Sequence, residues 1–293
     1  MPPVEVSLMN TKKIDLATLK NKGFLPQRQE NNFSMRLHIT GGRLEAEALK
    51  AIADASLKYG AGHLHITSRQ GIEIPFVKAE DADKIFEEMD KFGLAGGATG
   101  QKVRGIVACQ GNTVCNHGLI NCPEIAGIID EKYFGSFAPK KFKVAVTGCP
   151  AACLKPQEND FGIMGTVKPK LVEENCVSCG LCVKTCKMGA LFLEDEKLKL
   201  DLDKCSFCGE CISACRKAAI KAEKVGYTVF VGGKVGRKPR PGTKVLELAA
   251  ESELFLLLEK TLAYYREFGL EGERFGALLD RLGFEKYREA CLN

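Results

Sequence analysis

The sequence has 293 residues, of which 45% are apolar and 27% are charged, and these values predict a soluble globular protein with one large core or two modest cores. The net charge of +5 is too small to indicate nucleic-acid binding. It fits either a solvated surface with a slight excess of lysine or an anionic ligand held in one basic cleft. No stretch approaches the roughly 20 apolar residues of a membrane span, and the N-terminal segment lacks the apolar core of a signal peptide. Fourteen cysteines in such a chain favour metal binding over disulfides, so we expect a cytoplasmic protein.

The first part of the chain alternates strand and helix patterns over residues 34–92. Segments with apolar residues at every second position predict strands, and segments with apolar residues every three to four positions predict helices. The resulting β-α-β-β-α order is typical of the ferredoxin-like split motif, a fold name that implies no cluster. The predicted strands are 35–40, 63–67 and 71–77, and the predicted helices are 43–60 and 79–93.

The remainder of the chain has the pattern of a larger α+β domain. After a glycine-rich loop, two apolar strands are predicted at 106–109 and 142–148, and each runs into a cysteine. Residues 227–233 return to a strand pattern and lead into a basic glycine loop. From Lys244 onward the periodicity predicts two or three amphipathic helices, of which 245–269 is the clearest.

A short island interrupts this larger domain, because eight of the fourteen cysteines lie within residues 167–224. We therefore predict an α+β fold in which the island is inserted into the larger domain. The predicted domains are a ferredoxin-like half-module without a cluster over 1–93, a larger domain over 94–166 and 225–293, and the inserted island over 167–224.

The island contains the spacing C-x2-C-x2-C-x3-C twice, with the copies 29 residues apart. In the bacterial two-cluster ferredoxins, the fourth cysteine of each run ligates the other [4Fe-4S] cluster. Structural thiols or zinc are the alternatives, but a zinc site usually lacks the third and fourth cysteine of such a run. Lys187 and Arg216 replace the usual proline, and they would favour the reduced cluster unless they point to solvent. The expected ligand sets are Cys176, Cys179, Cys182 and Cys215 for one cluster, and Cys205, Cys208, Cys211 and Cys186 for the other.

Four more cysteines follow the two apolar strands in pairs. Cys109 and Cys115 have the spacing C-x5-C, and Cys149 and Cys153 have the spacing C-x3-C. Four thiols at strand ends could hold one further cluster, although four buried apolar cysteines would produce the same pattern. Cys122 and Cys291 match no motif and are expected to be free thiols.

These pairs carry a resemblance to the sirohaem-dependent sulfite and nitrite reductases, whose cluster signature is C-x5-C followed by T-G-C-P-x-x-C. The likeness covers residues 24–293. Because of the inserted ferredoxin pattern, the sequence most resembles the C subunit of anaerobic sulfite reductase and small dissimilatory-type sulfite reductases. The matching segments are MRLHITGG (35–42), HITSRQG (65–71), VACQGNTVC (107–115) and PKKFKVAVTGCPAAC (139–153).

The resemblance implies that sulfite is held by four cationic residues. Lys141 and Lys143 lie two apart on a predicted strand and so point to one face, which by itself would suggest only an exposed strand. Arg36 matches within a tight motif, and Arg104 matches by its distance from Cys109. Such residues would donate charged hydrogen bonds to sulfite oxygens and would supply protons as S–O bonds break.

The resemblance also implies a sirohaem beside the third cluster, with Cys153 contacting both the cluster and the haem iron. Sirohaem carries many carboxylates, so basic side chains and glycine-rich backbone suit it. By themselves, His65 would be an ordinary strand histidine and the glycine loop a surface turn. The implied haem-binding residues are His65, Thr67, Arg69, Gln70, Gly232, Gly233, Lys234, Arg237 and Arg240, together with Cys153.

Taken with the family, the sequence predicts a sirohaem and three [4Fe-4S] clusters that reduce sulfite to sulfide. A nitrite reductase, a non-catalytic iron–sulfur electron-transfer subunit and an inactive haem-carrying subunit are the alternatives. No G-x-G-x-x-G unit for a nicotinamide or flavin is present, so a ferredoxin or a flavin or iron–sulfur subunit is expected to donate electrons. The chain has one copy of the half-module that assimilatory relatives carry twice, so a homo- or hetero-oligomer is expected.

Overall fold

The computed structural model describes residues 16–293, so most of the N-terminal segment on which the absence of a signal peptide was predicted lies outside the described residues. Within this range, no helix is long and apolar enough to cross a membrane. The chain forms two compact units, and each of them is built from segments that are discontinuous in sequence. The first unit contains the described residues up to His38 with Leu44–Thr67 and Gly71–Gly97, and the second contains Ile39–Arg43, Ser68–Gln70 and Ala98–Asn293.

The first unit is an antiparallel sheet with two longer helices, and it has the predicted β-α-β-β-α order. Its strands are arranged β1-β2-β4-β3, in which the short edge strand β1 was not predicted. Helix α2 packs against β4 and α3, and its apolar residues Ala48, Ile52 and Ala55 recur at helical spacing and are buried. The elements are α1 (Leu16–Asn21), β1 (Phe24–Pro26), β2 (Asn32–Leu37), α2 (Ala46–Tyr59), β3 (His65–Ile66), β4 (Ile72–Lys78) and α3 (Ala82–Asp90).

The second unit is built on a mixed sheet with the order β11-β10-β7-β6-β5. Strands β5, β6 and β7 are parallel, whereas β10 and β11 are antiparallel to their neighbours. Its elements are β5 (Val107–Ala108), α4 (Cys122–Tyr133), β6 (Val144–Thr147), β7 (Phe161–Leu171), α5 (Leu181–Thr185), β8 (Leu191–Glu194), β9 (Lys197–Leu200), α6 (Glu210–Ala214), β10 (Ile220–Val231), β11 (Thr243–Ala249), α7 (Glu251–Phe268), α8 (Phe275–Leu282) and α9 (Phe284–Cys291).

The core of the second unit lies on one face of this sheet, where alternate strand residues such as Val144, Phe161 and Val229 point. Helix α4 connects the parallel strands β5 and β6 and packs against them, while α7 packs against β10. All four residues of β6 are buried, as expected for a central parallel strand. The aromatic side chains of Phe142, Tyr265 and Phe275 contact one another in this core.

The predicted helix over 245–269 is wrong in its first residues, because Thr243–Ala249 forms the edge strand β11. Leu248 has a φ of 53°, which a right-handed helix does not allow. The helix instead begins after Ala250, whose backbone N–H donates to the Glu253 carboxylate at 2.6 Å. Pairing with β10 outweighs the local helical pattern in this segment, and three helices follow it.

The cysteine-rich island extends from the large sheet on a two-stranded arm. The end of β7 pairs with the start of β10, with Val167 opposite Val225 and Leu171 opposite Ile220. Beyond the arm lie α5, the hairpin β8–β9 and α6. Their small core contains Cys182, Leu191, Leu198, Cys211 and Ile220.

Candidate functional site

Two cavities of the island are each lined by four cysteines. One, of about 170 Å³, is bordered by three cysteines of the first run and the last cysteine of the second run. The other, of about 210 Å³, has the converse set. Across residues 16–293, no three His, Cys, Asp or Glu side chains form a group that could hold a single metal ion. Four thiols around a cavity are the donor set of a [4Fe-4S] cluster, so these residues fit that group. The two sets are Cys176, Cys179, Cys182 and Cys215, and Cys186, Cys205, Cys208 and Cys211.

The two runs share one backbone conformation at equivalent positions. Ser178 and Phe207 have φ values of 51° and 57°, and Gly180 and Gly209 have values of 72° and 75°. Positive φ values in such loops turn backbone N–H groups toward one side, which produces a concave site for an anion. The N–H of Phe207 accordingly donates to the sulfur of Cys205 at 3.4 Å. The two runs therefore share one loop conformation, and it is of a kind that suits an anion.

Electrostatics also place the two runs side by side. Burial first, and then the nearby thiols of Cys208, Cys205 and Cys186, raise the pKa of Cys211 to about 12. Cys186 belongs to the other run, so its sulfur lies within electrostatic reach of this set. A metal that binds thiolate would have to displace the proton of Cys211, and it would do so because coordination favours the deprotonated form.

The second cysteine quartet lies where β5 and β6 end. These strands are parallel, so their carboxyl ends meet at one edge of the sheet, and Cys109 and Cys149 follow them there. Burial raises the pKa of Cys149, and charge on Cys109, Cys115 and Cys153 raises it further, so these three sulfurs lie within electrostatic reach of Cys149. Cys115 and Cys153 are exposed, which leaves the quartet open on one side.

A fifth thiol lies against this quartet. The sulfur of Cys122 is 3.6 Å from that of Cys109, and the N–H of Gly148 donates to Cys109 at 3.1 Å. The hydrogen bond with Cys122 is the main cause that lowers the pKa of Cys109 to about 5, and the bond from Gly148 contributes. The contact with Cys109, together with burial, raises the pKa of Cys122. Sequence reasoning assigned Cys122 no role, because it belongs to neither spacing motif.

The two predicted substrate lysines flank the buried side chain of Phe142 just before β6, and both are partly exposed. Burial first, and then the charges of Arg69, Arg274 and Lys141, lower the pKa of Lys143 to about 8. The pKa of Lys141 is likewise lowered, first by burial and then by the positive charges of Arg274 and Arg104. Such mutual depression shows that cationic groups are concentrated here, as a site for a small anion requires.

A buried carboxylate lies among these cations. Asp160 is fully buried and forms an ion pair of 2.7 Å with Arg274, which is 13% exposed. Burial raises the pKa of Asp160, and Arg274 opposes that rise. The carboxylate also accepts a hydrogen bond of 2.9 Å from the backbone N–H of Lys143. Sequence reasoning missed both residues, because nothing in their local pattern links a carboxylate with an arginine 114 positions away.

Arg69 lies in the second unit, on the segment Ser68–Gln70. It donates to Asn159 at 3.0 Å and to the carbonyl oxygens of Gly105 and Val144 at 2.9 and 3.1 Å. Its Nε is buried without a hydrogen-bond partner, so a donor remains for a further group. Burial lowers the pKa of Arg69 to about 10, and Arg104 and Arg274 contribute to that fall.

The two remaining predicted anion ligands lie in different units. Arg104 donates to the carbonyl oxygens of Ala98 and Gly100 within the second unit, and its charge reaches Lys141. Arg36 lies on β2 of the first unit, where it pairs with Glu73 at 2.6 Å. The structure therefore groups Arg104 with the lysines, whereas Arg36 is held by its own unit.

The predicted haem-binding residues around 65–70 have distinct surroundings. His65 is exposed on β3, and the hydroxyl of Thr67 accepts a hydrogen bond of 3.0 Å from the N–H of Gly71. The side-chain amide of Gln70 donates to the carbonyl oxygen of Ala108 and accepts from the N–H of Ala108, both at 2.9 Å. Since Cys109 follows Ala108, this pair of hydrogen bonds holds the Gln70 segment next to the cysteine quartet.

The predicted glycine loop packs on the segment that carries Asp160. The N–H of Gly232 donates to the Asp160 carbonyl oxygen at 2.8 Å, and a Cβ on Gly233 would lie 2.2 Å from the Gln157 carbonyl oxygen. Lys234 and Arg240 pair through their backbones across the loop. The Arg240 side chain is engaged by Asp280, Gly232 and Pro241, and Arg237 is exposed.

One strand connects the two parts of this site. Lys141 and Lys143 precede β6, and Cys149 follows it. Because β6 is central and buried, it fixes the cationic group and the thiol quartet relative to each other. The second unit therefore has cationic side chains, which suit a small oxyanion, at one end of β6 and thiols, which suit iron, at the other.

Comparison with protein-family models finds two matches that follow one another along the chain. Residues 25–92 match the "Nitrite/Sulfite reductase ferredoxin-like half domain". Residues 99–293 match the "Nitrite and sulphite reductase 4Fe-4S domain". These matches confirm the ferredoxin-like half-module and the [4Fe-4S] domain that the sequence predicted.

Individual proteins agree with the family models. The chain is 35% identical over 98% of its length to the coenzyme F420-dependent sulfite reductase of Methanocaldococcus jannaschii, although it spans only 46% of that protein. It is 30% identical over 90% of its length to the C subunit of the anaerobic sulfite reductase of Salmonella typhimurium, of which it covers 84%. The crystal structure of dissimilatory sulfite reductase I has the same fold, with a TM-score of 0.76, 23% identity, and coverage of 89% of this chain and 69% of that one. The chain belongs to the nitrite and sulphite reductase family, as its cysteine signature indicated.

Proposed function

We propose that this chain is a sirohaem–[4Fe-4S] sulfite reductase, either a catalytic subunit or a small enzyme, that reduces sulfite to sulfide. The observation that carries this proposal is the strand β6, which has Lys141 and Lys143 before it and Cys149 after it. The sulfite reductases among the relatives support the choice of substrate. When bound, sirohaem would supply the metal centre at which the sulfur of sulfite is reduced.

The cationic group is proposed to bind the sulfite oxygens. Lys141, Lys143 and Arg104 provide positive charge in a partly desolvated place, where charged hydrogen bonds are strong. Lys143 has a lowered pKa, so it can release a proton near neutral pH as an S–O bond breaks. Arg36 is proposed as a further sulfite ligand on the strength of its family motif.

Sirohaem carboxylates are proposed to be held by donors of the second unit. Arg69 fits this role because its Nε is buried and has no other partner. Gln70 would position the segment 68–70 through its two hydrogen bonds with the backbone of Ala108. The proposal extends to the other residues implied by the family motif, which are His65, Thr67, Gly232, Gly233, Lys234, Arg237 and Arg240.

Three [4Fe-4S] clusters are proposed, two of them in an inserted ferredoxin domain over 167–224. The crosswise lining of the two cavities supports the ligand sets predicted from the runs. The third cluster is proposed on Cys109, Cys115, Cys149 and Cys153, with Cys153 also contacting the haem iron. The domain division 1–93, 94–166 with 225–293, and 167–224 is part of the same proposal.

The structure distinguishes the two cavities of the island by their neighbours. Pro150 and Ala151 line the cavity of Cys186 and Cys205, and they lie between Cys149 and Cys153 of the third set. The cavity of Cys176 does not contact that loop. We therefore propose the Cys186 cavity as the inner one, next to the third quartet, and the other as the side where electrons enter.

The electron donor is proposed to be a separate cytoplasmic partner, such as a ferredoxin or a flavin or iron–sulfur subunit. The relative from Methanocaldococcus jannaschii is named as dependent on coenzyme F420, and this chain spans about half of that protein. The electron-donor function would therefore lie outside the part that this chain matches. One half-module is matched, over residues 25–92, and an unpartnered half-module supports assembly into a homo- or hetero-oligomer. Native mass spectrometry of the haem-loaded protein tests this, and a monomeric mass would contradict it.

The proposed function is tested by anaerobic purification followed by visible spectroscopy and iron analysis. We expect a sirohaem band that shifts when sulfite is added under reducing conditions, with about twelve cluster irons per chain. A shift with nitrite and none with sulfite would assign the chain to nitrite reduction. Three clusters without sirohaem would make it an electron-transfer subunit or an inactive partner.

A further inference from the structure

The thiol of Cys122 is built into the third quartet although no spacing motif includes it. Cys122 is the first residue of α4 and is fully buried. Its sulfur lies 3.6 Å from the sulfur of Cys109 and 3.8 Å from the carbonyl oxygen of Ile120. A cysteine that ligates iron is a thiolate and can only accept hydrogen bonds, so in the cluster-loaded protein Cys122 would be the donor in this pair. Its single proton has two acceptors in reach, and the thiolate is both the nearer and the charged one, so it is a stronger acceptor than the Ile120 carbonyl oxygen.

Two glycines make room for this contact. A Cβ on Gly111 would lie 3.0 Å from the Cys122 sulfur and only 2.3 Å from the Ile120 carbonyl oxygen. A Cβ on Gly148 would lie 3.4 Å from the Cys122 sulfur and 3.5 Å from the Cys109 sulfur. The backbone N–H of Gly148 donates to Cys109 at 3.1 Å. The sulfur of Cys109 is therefore enclosed by donors from two sides.

We propose that Cys122 is a positioning residue for the third cluster, because its thiol donates a hydrogen bond to Cys109 and raises the reduction potential of the cluster that Cys109 holds. Hydrogen bonds to ligating sulfurs stabilise the reduced cluster, which carries the additional negative charge. A raised potential favours the transfer of electrons to this cluster. The inference rests on the proposed function, since it requires a cluster on the quartet.

The test compares Cys122→Ala and Cys122→Ser in the holoprotein, with Cys291→Ala as the matched control. Cys291 is the other cysteine outside the motifs, and it is buried among the C-terminal helices. Redox titration followed by electron paramagnetic resonance gives the midpoint potential of each cluster. At the wild-type midpoint, Cys122→Ala should lower the ratio of reduced to oxidised third cluster by about threefold, the effect of one weak hydrogen bond. Cys122→Ser keeps a hydrogen-bond donor, so its midpoint potential should fall between those of the wild type and Cys122→Ala. Cys291→Ala should leave the potential of the third cluster unchanged.

Infrared spectroscopy of the S–H stretch provides a readout that is independent of redox chemistry. Of the fourteen cysteines, twelve are proposed to bind iron, so only Cys122 and Cys291 keep a thiol proton. We expect two S–H bands, and the band at lower frequency, which marks the stronger hydrogen bond, should disappear in Cys122→Ala and persist in Cys291→Ala.

Three results would overturn the inference. An unchanged midpoint potential of the third cluster in Cys122→Ala would show that the contact does not affect its reduction. Loss of that cluster's iron in both Cys122 variants would show that Cys122 is a ligand. A wild-type protein without any cluster would overturn the proposed function, and the inference with it.

Discussion

The carboxylate of Asp160 accepts a hydrogen bond of 2.7 Å from Nη2 of Arg274 and one of 2.9 Å from the backbone N–H of Lys143. Asp160 is completely buried and Arg274 nearly so. Arg274 precedes the first residue of α8, so one desolvated carboxylate joins the lysine segment to this helix. Lys143 and its cationic neighbours are therefore arranged around a fixed negative charge.

Substitution of this carboxylate should be costly. We expect Asp160→Asn to lower the free energy of unfolding by about 3 kcal/mol, because the buried charge of Arg274 loses its partner. Denaturant titration measures this change. The control is Glu259→Gln, which breaks an exposed ion pair with Lys132 and should cost less than about 1 kcal/mol. Similar losses in the two variants would contradict the prediction.

Sulfite binding should depend on the protonation of Lys143, whose pKa is lowered to about 8 by burial and by Arg69, Arg274 and Lys141. The charged form exists below this pKa, so the lysine's contribution to affinity should be lost as the pH rises through about 8. Lys143→Arg remains charged and should lose less affinity over the same range. Sulfite-induced spectral changes give the Kd of both proteins, and their comparison cancels the titration of sulfite itself. Parallel curves would show that Lys143 does not control binding.

Substituting the last cysteine of either run should affect the cluster that the first three cysteines of the other run hold. Cys215→Ser should alter the same paramagnetic signal as Cys176→Ser, because both residues line one cavity. Cys186→Ser should instead alter the signal that Cys205→Ser affects. Electron paramagnetic resonance of the four reduced variants makes this comparison. The ligand sets would be wrong if Cys215→Ser and Cys205→Ser changed the same signal.

The loop of the second run should tolerate no side chain at Gly209. This residue has a φ of 75°, and a Cβ would lie 2.7 Å from a methyl group of Val167. We expect Gly209→Ala to lower the free energy of unfolding by about 3 kcal/mol, from the left-handed backbone and the clash together. Gly189 has a φ of 63° with nothing near its Cβ, so Gly189→Ala should cost only about 1 kcal/mol.

Iron analysis of the same two variants distinguishes a local effect from a global one. Gly209 lies between Cys208 and Cys211, so its substitution should also reduce the iron bound per chain. Gly189→Ala should retain the wild-type iron content. Equal stability and iron content in the two variants would show that the contact with Val167 has no effect.

Much of the candidate site was predictable because its ligands are close together in sequence. The two C-x2-C-x2-C-x3-C runs predicted crossed sets, and the cavities group the same cysteines. Strand β6 was predictable from its apolar run, which lies between the lysines and Cys149. The β-α-β-β-α order was predictable for the same reason, since each element has its own local periodicity.

Other features depended on partners that are distant in sequence. Residues 245–249 have a helical pattern, yet they pair with β10 as a strand. The long strand β7 was not predicted, because its partners are β6 and a segment of β10 that lies beyond the entire island. Local propensity is weaker than such pairing, and the pairing is decided only when the sheet forms.

By itself, the sequence determined the family, the spacing of the cluster cysteines and the positions of the paired lysines, because each is encoded within a few neighbouring residues. The ion pair of Asp160 with Arg274 and the contact of Cys122 with Cys109 were decided by the tertiary structure alone. Asp160 and Arg274 are 114 residues apart, and Cys122 reaches Cys109 only because α4 begins beside the end of β5. Burial then determines their chemistry, since a carboxylate, a guanidinium or a thiol acquires its function here from being removed from water next to one specific partner.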